Sequence, residues 1–305
     1  MTLGSRANPD LRANSGLRLP PWLRVGIPSG GNWRRVSATL ERRGLATVCD
    51  EARCPNKAEC WGAATATFMV LGSVCTRGCR FCAVAHGKRG EPPRPEEPEN
   101  LARAVAELGL SYAVVTSVDR DDLPDRGAAH FVACARAIKA LCPDARVELL
   151  VPDYREGEIE PILDALPDVL AHNIETVERL QGLRDARASY SASLRTLSLA
   201  ARRSTNGGRA PVVKSSILLG LGEEREELLR TMDDLRSAGC GSLVLGQYLR
   251  PTALQAEVAR YLPPEEFARL AEEARSRGFS SVVSAPLART SYHARACFNA
   301  GRSEA

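Results

Sequence analysis

From Thr65 onward the chain alternates short apolar runs with amphipathic stretches. That rhythm restricts it to an α/β fold built on a parallel sheet. The runs are Thr67–Val74, Tyr112–Ser117, Arg146–Val151, Val169–Asn173, Val212–Leu219 and Ser242–Gln247. Between and after them lie the helical candidates Glu97–Leu108, Gly127–Leu141, Arg155–Leu166, Ser191–Ser204, Glu224–Ala238 and Pro264–Arg277. Strands that are apolar along their whole length must be covered on both faces. An open barrel and a doubly wound sheet both satisfy that demand, and periodicity does not choose between them.

The flanks read differently. Residues 1–20 are polar and aperiodic, and Leu19–Gly31 is proline-punctuated, so an extended arm precedes a short helix at Trp33–Arg43. Glu91–Pro98 reads as a stiff loop and Arg203–Pro211 as a flexible one. After Ser280 there is one strand-like run, Ser281–Ser284, and then a polar tail. The organisation is therefore an N-terminal region at 1–64, βα units at 65–279 and a C-terminal segment at 280–305. No apolar run approaches the ~18 residues of a membrane span. A net charge of +4 is too small to argue for a nucleic-acid partner.

Ten cysteines are present, and six fall between Cys49 and Cys82. The N-terminus lacks the apolar core of a secretory signal. Four arginines against one acid in residues 1–24 are poor grounds for a transit peptide, because arginine dominates the basic residues throughout. The expected compartment is the cytoplasm, where clustered thiols stay reduced and serve as metal ligands or redox groups. Cys75, Cys79 and Cys82 form CxxxCxxC directly after the first apolar run. Zinc sites usually take four protein ligands, and only His86 stands near as a fourth. Three thiolates instead suit a 4Fe–4S cluster with one iron left open.

This loop, with Phe81 before its last cysteine, resembles the radical S-adenosylmethionine superfamily. The resemblance implies a partial (β/α)6 TIM-like barrel with N- and C-terminal extensions. It also implies S-adenosylmethionine chelated by the open iron and cleaved by one electron to methionine and a 5′-deoxyadenosyl radical, chemistry that a cofactor must bring.

A second triplet, Cys49, Cys54 and Cys60, lies in CDEARCPNKAECW. With PWLR at Pro21–Arg24, Ala66–Cys82, VAHG at Val84–Gly87, TSVDRDDL at Thr116–Leu123 and HNIETV at His172–Val177, it resembles the lipoyl synthase family. So do Lys214–Ser216, GLGE at Gly220–Glu223, GQYLRPT at Gly246–Thr252, PPEEF at Pro263–Phe267 and RTSYH at Arg289–His293. These landmarks cover nearly the whole chain in the family's order. The resemblance implies that Cys49, Cys54, Cys60 and Ser291 hold an auxiliary 4Fe–4S cluster sacrificed as sulfur donor, making two clusters in all. It implies two sulfur insertions, at C6 and C8 of an octanoyl chain on a carrier lysine. The implied partners are octanoylated lipoyl domains of 2-oxoacid dehydrogenase acyltransferases, the glycine-cleavage carrier protein, a ferredoxin or flavodoxin, and iron–sulfur assembly proteins. Two departures stand out: Thr290 replaces the first serine of the family's RSSY-type motif, and Ala285 replaces a glycine, where a positive φ would be strained.

Thr116, Ser117 and Asp119 follow the second apolar run, and His172, Asn173 and Glu175 end the fourth; both sets are expected at S-adenosylmethionine. Arg289 is expected to make a catalytic polar contact beside the auxiliary cluster, while Lys214 and Arg250 read either as anion anchors or as satisfied ion pairs. Cys134, Cys142, Cys240 and Cys297 lack ligand spacing and read as core filling; His130 reads as structural. Trp61 and Phe68 are expected to pack around the clusters. GLG at Gly220–Gly222 lacks a dinucleotide fingerprint and reads as a turn. The rivals are a radical methylthiotransferase, which would carry an RNA-binding module, and a non-catalytic iron–sulfur carrier, which would need no βα barrel.

Overall fold

The computed structural model describes residues 18–25, 31–203 and 210–303. Eight strands form one sheet in sequence order: β1 (Ala46–Thr47), β2 (Thr67–Val70), β3 (Tyr112–Ser117), β4 (Arg146–Leu150), β5 (Val169–Ala171), β6 (Val212–Leu219), β7 (Ser242–Gln247) and β8 (Ser281–Ala285). β1 is antiparallel to β2, and every later neighbour pair is parallel. A doubly wound sheet would reverse its strand order at a switch point. This one does not, and β1 and β8 remain unpaired edges. The architecture is a partial, open TIM-like barrel, with the run at 281–284 as a seventh parallel strand.

Three helices precede the barrel: α1 (Gly31–Arg43), α2 (Val48–Glu51) and α3 (Lys57–Gly62). Its outer layer is α4 (Glu97–Leu108), α5 (Ala128–Leu141), α6 (Glu160–Asp164), α7 (Tyr190–Arg202), α8 (Arg225–Ser237) and α9 (Pro264–Ser276). Two elements are shorter than their sequence patterns. β2 stops at Val70 because Leu71 and Gly72 turn left-handed, at φ 68° and 87°. α6 begins only at Glu160 because Gly157, at φ 88°, breaks the helical turn before it. No described helix is long and apolar enough to cross a membrane.

The C-terminal segment is not a loose tail. After β8 the chain follows the inner barrel wall. Gln247 N donates to Pro286 O at 3.1 Å, and Asn56 Nδ2 donates to Leu287 O at 2.6 Å. Gly246 makes this route possible, since a Cβ there would sit 2.0 Å from Ala288 O. α10 (Ala294–Ser303) then caps the N-terminal end of the barrel. Phe298 and Ala294 bury against Tyr112, Val114 and Val169, the first residues of their strands or close to them.

Beneath that cap, Lys214 Nζ donates to Glu148 Oε1 at 2.9 Å, and Tyr112 OH donates to Glu148 Oε2 at 2.6 Å. Both charges are at least 98% buried. Lys214 is thus a satisfied partner inside the barrel, not a ligand anchor. Removing one member of a buried pair strands the other charge, at a cost of about 3–5 kcal/mol. Lys214→Met should lower unfolding free energy by that amount in urea titrations, and adding Glu148→Leu should recover most of the loss.

Candidate active site

The loop from Leu71 to Glu96 carries the first triad. Cys75 N donates to Ala85 O at 2.8 Å, Gly87 N to Cys75 O at 2.9 Å, and Cys82 N to Cys79 O at 3.1 Å, folding the three cysteines into a compact turn. Arg77 pins that turn to the barrel. Its guanidinium lies 3.3 Å from Asp119, 2.9 Å from Asp121 and 2.5 Å from Asp153, at the C-terminal ends of β3 and β4. Those three carboxylates hold the Arg77 guanidinium's pKa above its usual value despite burial.

The sulfurs already accept backbone donors. Asp119 N and Arg77 N point at Cys75 Sγ, at 3.3 and 3.4 Å, and Asp185 N points at Cys79 Sγ at 3.4 Å. Burial nevertheless pushes the Cys75 thiol up to about 12 and Cys79 to about 11, and it raises Cys82 too. Such sulfurs shed their protons only when a cationic centre replaces them.

The second triad is spread over α2, a tight turn and α3. Thr47 caps α2 by accepting from Asp50 N, and Cys54 N donates back to Cys49 O at 3.1 Å. Burial raises Cys49 to about 11 and Cys60 to about 12, and Cys60 also feels both other thiols. Ser291 arrives from the far end of the chain, with Thr67 Oγ1 donating to its Oγ at 2.7 Å. Its neighbour Thr290 lies 2.9 Å from Ser216 Oγ and 3.1 Å from Asn173 Oδ1, so the threonine hydroxyl is used. Ala285 ends β8 in extended backbone, and its missing glycine costs no positive φ.

The second triad and Cys82 of the first meet at one cavity of about 240 Å³. Cys49, Cys54, Cys60 and Ser291 line one part of it, and Cys82 and Glu175 another. Of the residues expected at S-adenosylmethionine, Asn173 and Glu175 line this space, whereas Thr116, Ser117 and Asp119 stand outside its wall. Thr116 Oγ1 donates to Leu150 O at 3.0 Å. Ser117 Oγ is buried without a partner. Burial raises both Asp119 and Glu175, with Arg77 opposing it at Asp119 and Arg184 opposing it at both. Glu175 is also held left-handed, at φ 68°, the kind of strain that collects at functional sites.

Beside the second triad Asn56 Oδ1 is buried without a hydrogen-bond partner, and the Trp61 indole N–H is turned toward the Cys49 thiol. Burial lowers the Arg289 guanidinium, and the opposing influence is Cys54, a thiol. Half-buried Arg289 donates to Ala288 O at 2.7 Å, and its charge would be balanced were Cys54 a thiolate. Each triad offers three thiols, a donor set that suits a 4Fe–4S cluster with one corner left to another ligand.

Other expectations sort themselves out. His172 does not face the cavity: Val151 O lies 2.9 Å from Nδ1 and Ser193 Oγ 2.9 Å from Nε2. Arg250 binds its own loop through Gln255 O and Ala253 O. His130 is tied to Glu97, and Cys134 and Cys240 are buried in the core. Cys142 is half-buried, and the Cys297 side chain lies outside the described residues. Phe68 and Trp61 are both buried. Sequence reasoning missed Arg77, Asp153, Arg184 and Asp185. Arg184 is a nearly buried cation acting on Cys79, Asp119 and Glu175. The acid-rich stretch Asp119–Asp122 was a signal for a buried cation, but nothing in the sequence says which arginine answers it.

A family profile described as the Radical SAM superfamily matches residues 69–235, so the fold and first triad define a radical S-adenosylmethionine enzyme. Solved structures similar in fold include methylornithine synthase (PylB), with TM-score 0.54 and 13% identity over 84% of this chain and 72% of that one. The FeFe-hydrogenase maturase HydG from Carboxydothermus hydrogenoformans has TM-score 0.56 and 14% identity over 76% and 56%. A second profile, the N-terminal domain of lipoyl synthase of the Radical_SAM family, matches residues 5–54. The chain is 52% identical to the lipoyl synthase of Methylococcus capsulatus, over 95% of this chain and 89% of that one. It is 50% identical to that of Methanocella arvoryzae, over 90% and 93%. The chain belongs to the lipoyl synthase family.

Burial and the neighbouring Arg184 drop the His172 imidazole to about 4, from an ordinary 6.5. Between those values the unfolded chain binds a proton that the folded chain refuses. Stability is therefore complete above pH 6.5 and falls as pH drops toward 4. Melting temperatures across that window should fall less steeply for His172→Gln than for the parent chain.

Proposed function

We propose that this enzyme inserts two sulfur atoms, at C6 and C8, into an octanoyl chain on the Nε of a carrier-protein lysine. The observation that carries this reading is one cavity lined by the whole second triad, by Ser291 and by Cys82 of the first triad. Cys75, Cys79 and Cys82 would hold the cluster that binds S-adenosylmethionine. Cys49, Cys54, Cys60 and Ser291 would hold the auxiliary one. When bound, the clusters supply the electron that cleaves S-adenosylmethionine and the sulfide that replaces the abstracted hydrogens. Two C–H bonds break and two C–S bonds form; the hydrogens leave on two molecules of 5′-deoxyadenosine, and ferredoxin or flavodoxin gives one electron per cleavage.

The protein's own residues set the geometry. Arg77, clamped by three carboxylates, fixes the cysteine turn against the strand ends. Ser117, with its unpartnered hydroxyl, and Asp119, Asn173 and Glu175 are assigned to the polar groups of S-adenosylmethionine, with Thr116 shaping the strand end behind them. Arg184 offers a cation to its methionyl carboxylate. Arg289 balances the charge beside Cys54 and, with Ser291, makes up the catalytic pair on the sulfur side. Serine is a harder and more easily protonated ligand than cysteine, so Ser291 would hold an iron corner less firmly than a cysteine would. The apolar wall of the cavity suits an octanoyl tail.

The carriers in this reading are lipoyl domains of 2-oxoacid dehydrogenase acyltransferases and the glycine-cleavage carrier protein. Iron–sulfur assembly proteins load the triads in a reducing cytoplasm. Residues 1–64, 65–279 and 280–305 act as auxiliary-cluster region, barrel and serine-bearing segment.

Anaerobically loaded enzyme should contain about eight irons per chain. With an octanoyl-lysine carrier it should release two 5′-deoxyadenosines per lipoyl group formed. Ser291→Cys should keep its iron and still form 5′-deoxyadenosine, with sulfur insertion slowed about ten-fold or more. Four irons per chain, or normal turnover by Ser291→Cys, overturns the assignment.

A further inference from the structure

A second cavity, about 380 Å³, opens at the opposite end of the barrel. Its walls are Ala63–Thr67 ahead of β2, Leu108–Tyr112 ahead of β3, and the first turn of α10. These are the N-terminal ends of the strands, whereas barrel enzymes of this kind work at the C-terminal ends. Yet Cys60, Thr67, Ser291 and Tyr292 line both cavities. Cys54 and Cys49 line only the inner one. The second triad is thus approached from two sides, and the two approaches meet at Cys60 and Ser291.

The outer groove has a polar rim. Tyr292 OH donates to Glu59 Oε1 at 2.8 Å, and His293 Nε2 lies 3.4 Å from the same oxygen. Glu59 and His293 are more than half exposed, so this rim faces solvent. Exposed Arg295 also lines the groove, so its mouth offers a carboxylate to a cation and a guanidinium to an anion. The groove leads to one thiol and one hydroxyl, ligands for iron, and away from the cavity that cofactor and octanoyl chain must share.

We propose that this groove is a port through which iron and hydrosulfide ions reach Cys60 and Ser291, leaving the inner cavity to cofactor and substrate. The inference rests on the reading that the second triad holds iron. It requires passage of ions only, with no bond made in the groove itself.

The test uses the full chain carrying Cys75→Ala, Cys79→Ala and Cys82→Ala, so that iron is confined to the second triad. Iron loss to excess ethylenediaminetetraacetate is followed by visible absorbance. One arm fills the inner cavity with an octanoyl-lysine peptide. The other fills the groove with Ala63→Trp or Ser111→Trp, both at exposed positions where an added ring stays out of the core. The groove variants should slow iron loss about ten-fold, while the peptide leaves it nearly unchanged. Loss that slows with peptide and ignores the groove variants overturns the port.

A chain that holds no iron after the triple substitution sinks the auxiliary-cluster reading instead. The port is then judged in the same chain by iodoacetamide labelling. Labelling of Cys60 should slow in the groove variants while that of Cys54 does not, and an equal response of the two thiols overturns it.

Discussion

The arrangement depends on a barrel that fails to close and on a strand of backbone that uses the space this leaves. β1 and β8 do not pair, and the residues after β8 run down the inner wall instead of leaving the molecule. One missing side chain permits it: at Gly246 any Cβ would collide with Ala288 O. Asn56 then ties this segment to the turn that carries the second cysteine triad, through Leu287 O. Ser291 comes to rest beside cysteines more than 230 positions earlier in the sequence. The serine is placed by backbone packing and two tethers, an arrangement compatible with the releasable ligand proposed above.

Charge is handled differently in three parts of this interior. At the closed end, Lys214 and Glu148 neutralise one another and Tyr112 satisfies a remaining lone pair. At the cofactor end, Arg77 meets three carboxylates and locks a loop. Between them half-buried Arg289 lies beside one thiol, Cys54, and donates to Ala288 O. The first two cations are paired with carboxylates; among the described residues the third is not. That contrast in partners, more than depth, sets Arg289 apart from the other two.

The barrel was legible because its strands are apolar throughout and its helices amphipathic: α4 matches its pattern residue for residue, and β3, β6 and β7 do likewise. Misreadings came from backbone sign changes that composition hides. The reversal at Leu71 shortened β2, and the one at Gly157 shortened α6. The segment after Ser280 read as a polar tail because its apolar residues are few, but Phe298 and Ala294 suffice to seat a helix. In the site, the cysteines announced themselves by spacing. The partners of Arg77 could not be read, because each aspartate lies more than forty residues from it. His172 looked like a ligand contact for want of any sign that Ser193 and Val151 would take both ring nitrogens.

The distance along the chain between Thr67 and Ser291, 224 residues, has a consequence for biosynthesis. Translation delivers the six clustered cysteines long before the serine. In the proposed reading, a polypeptide not yet extended to Ser291 would carry both nests of thiol without the serine, so the sulfur-donating centre could be completed only after residue 291 is made.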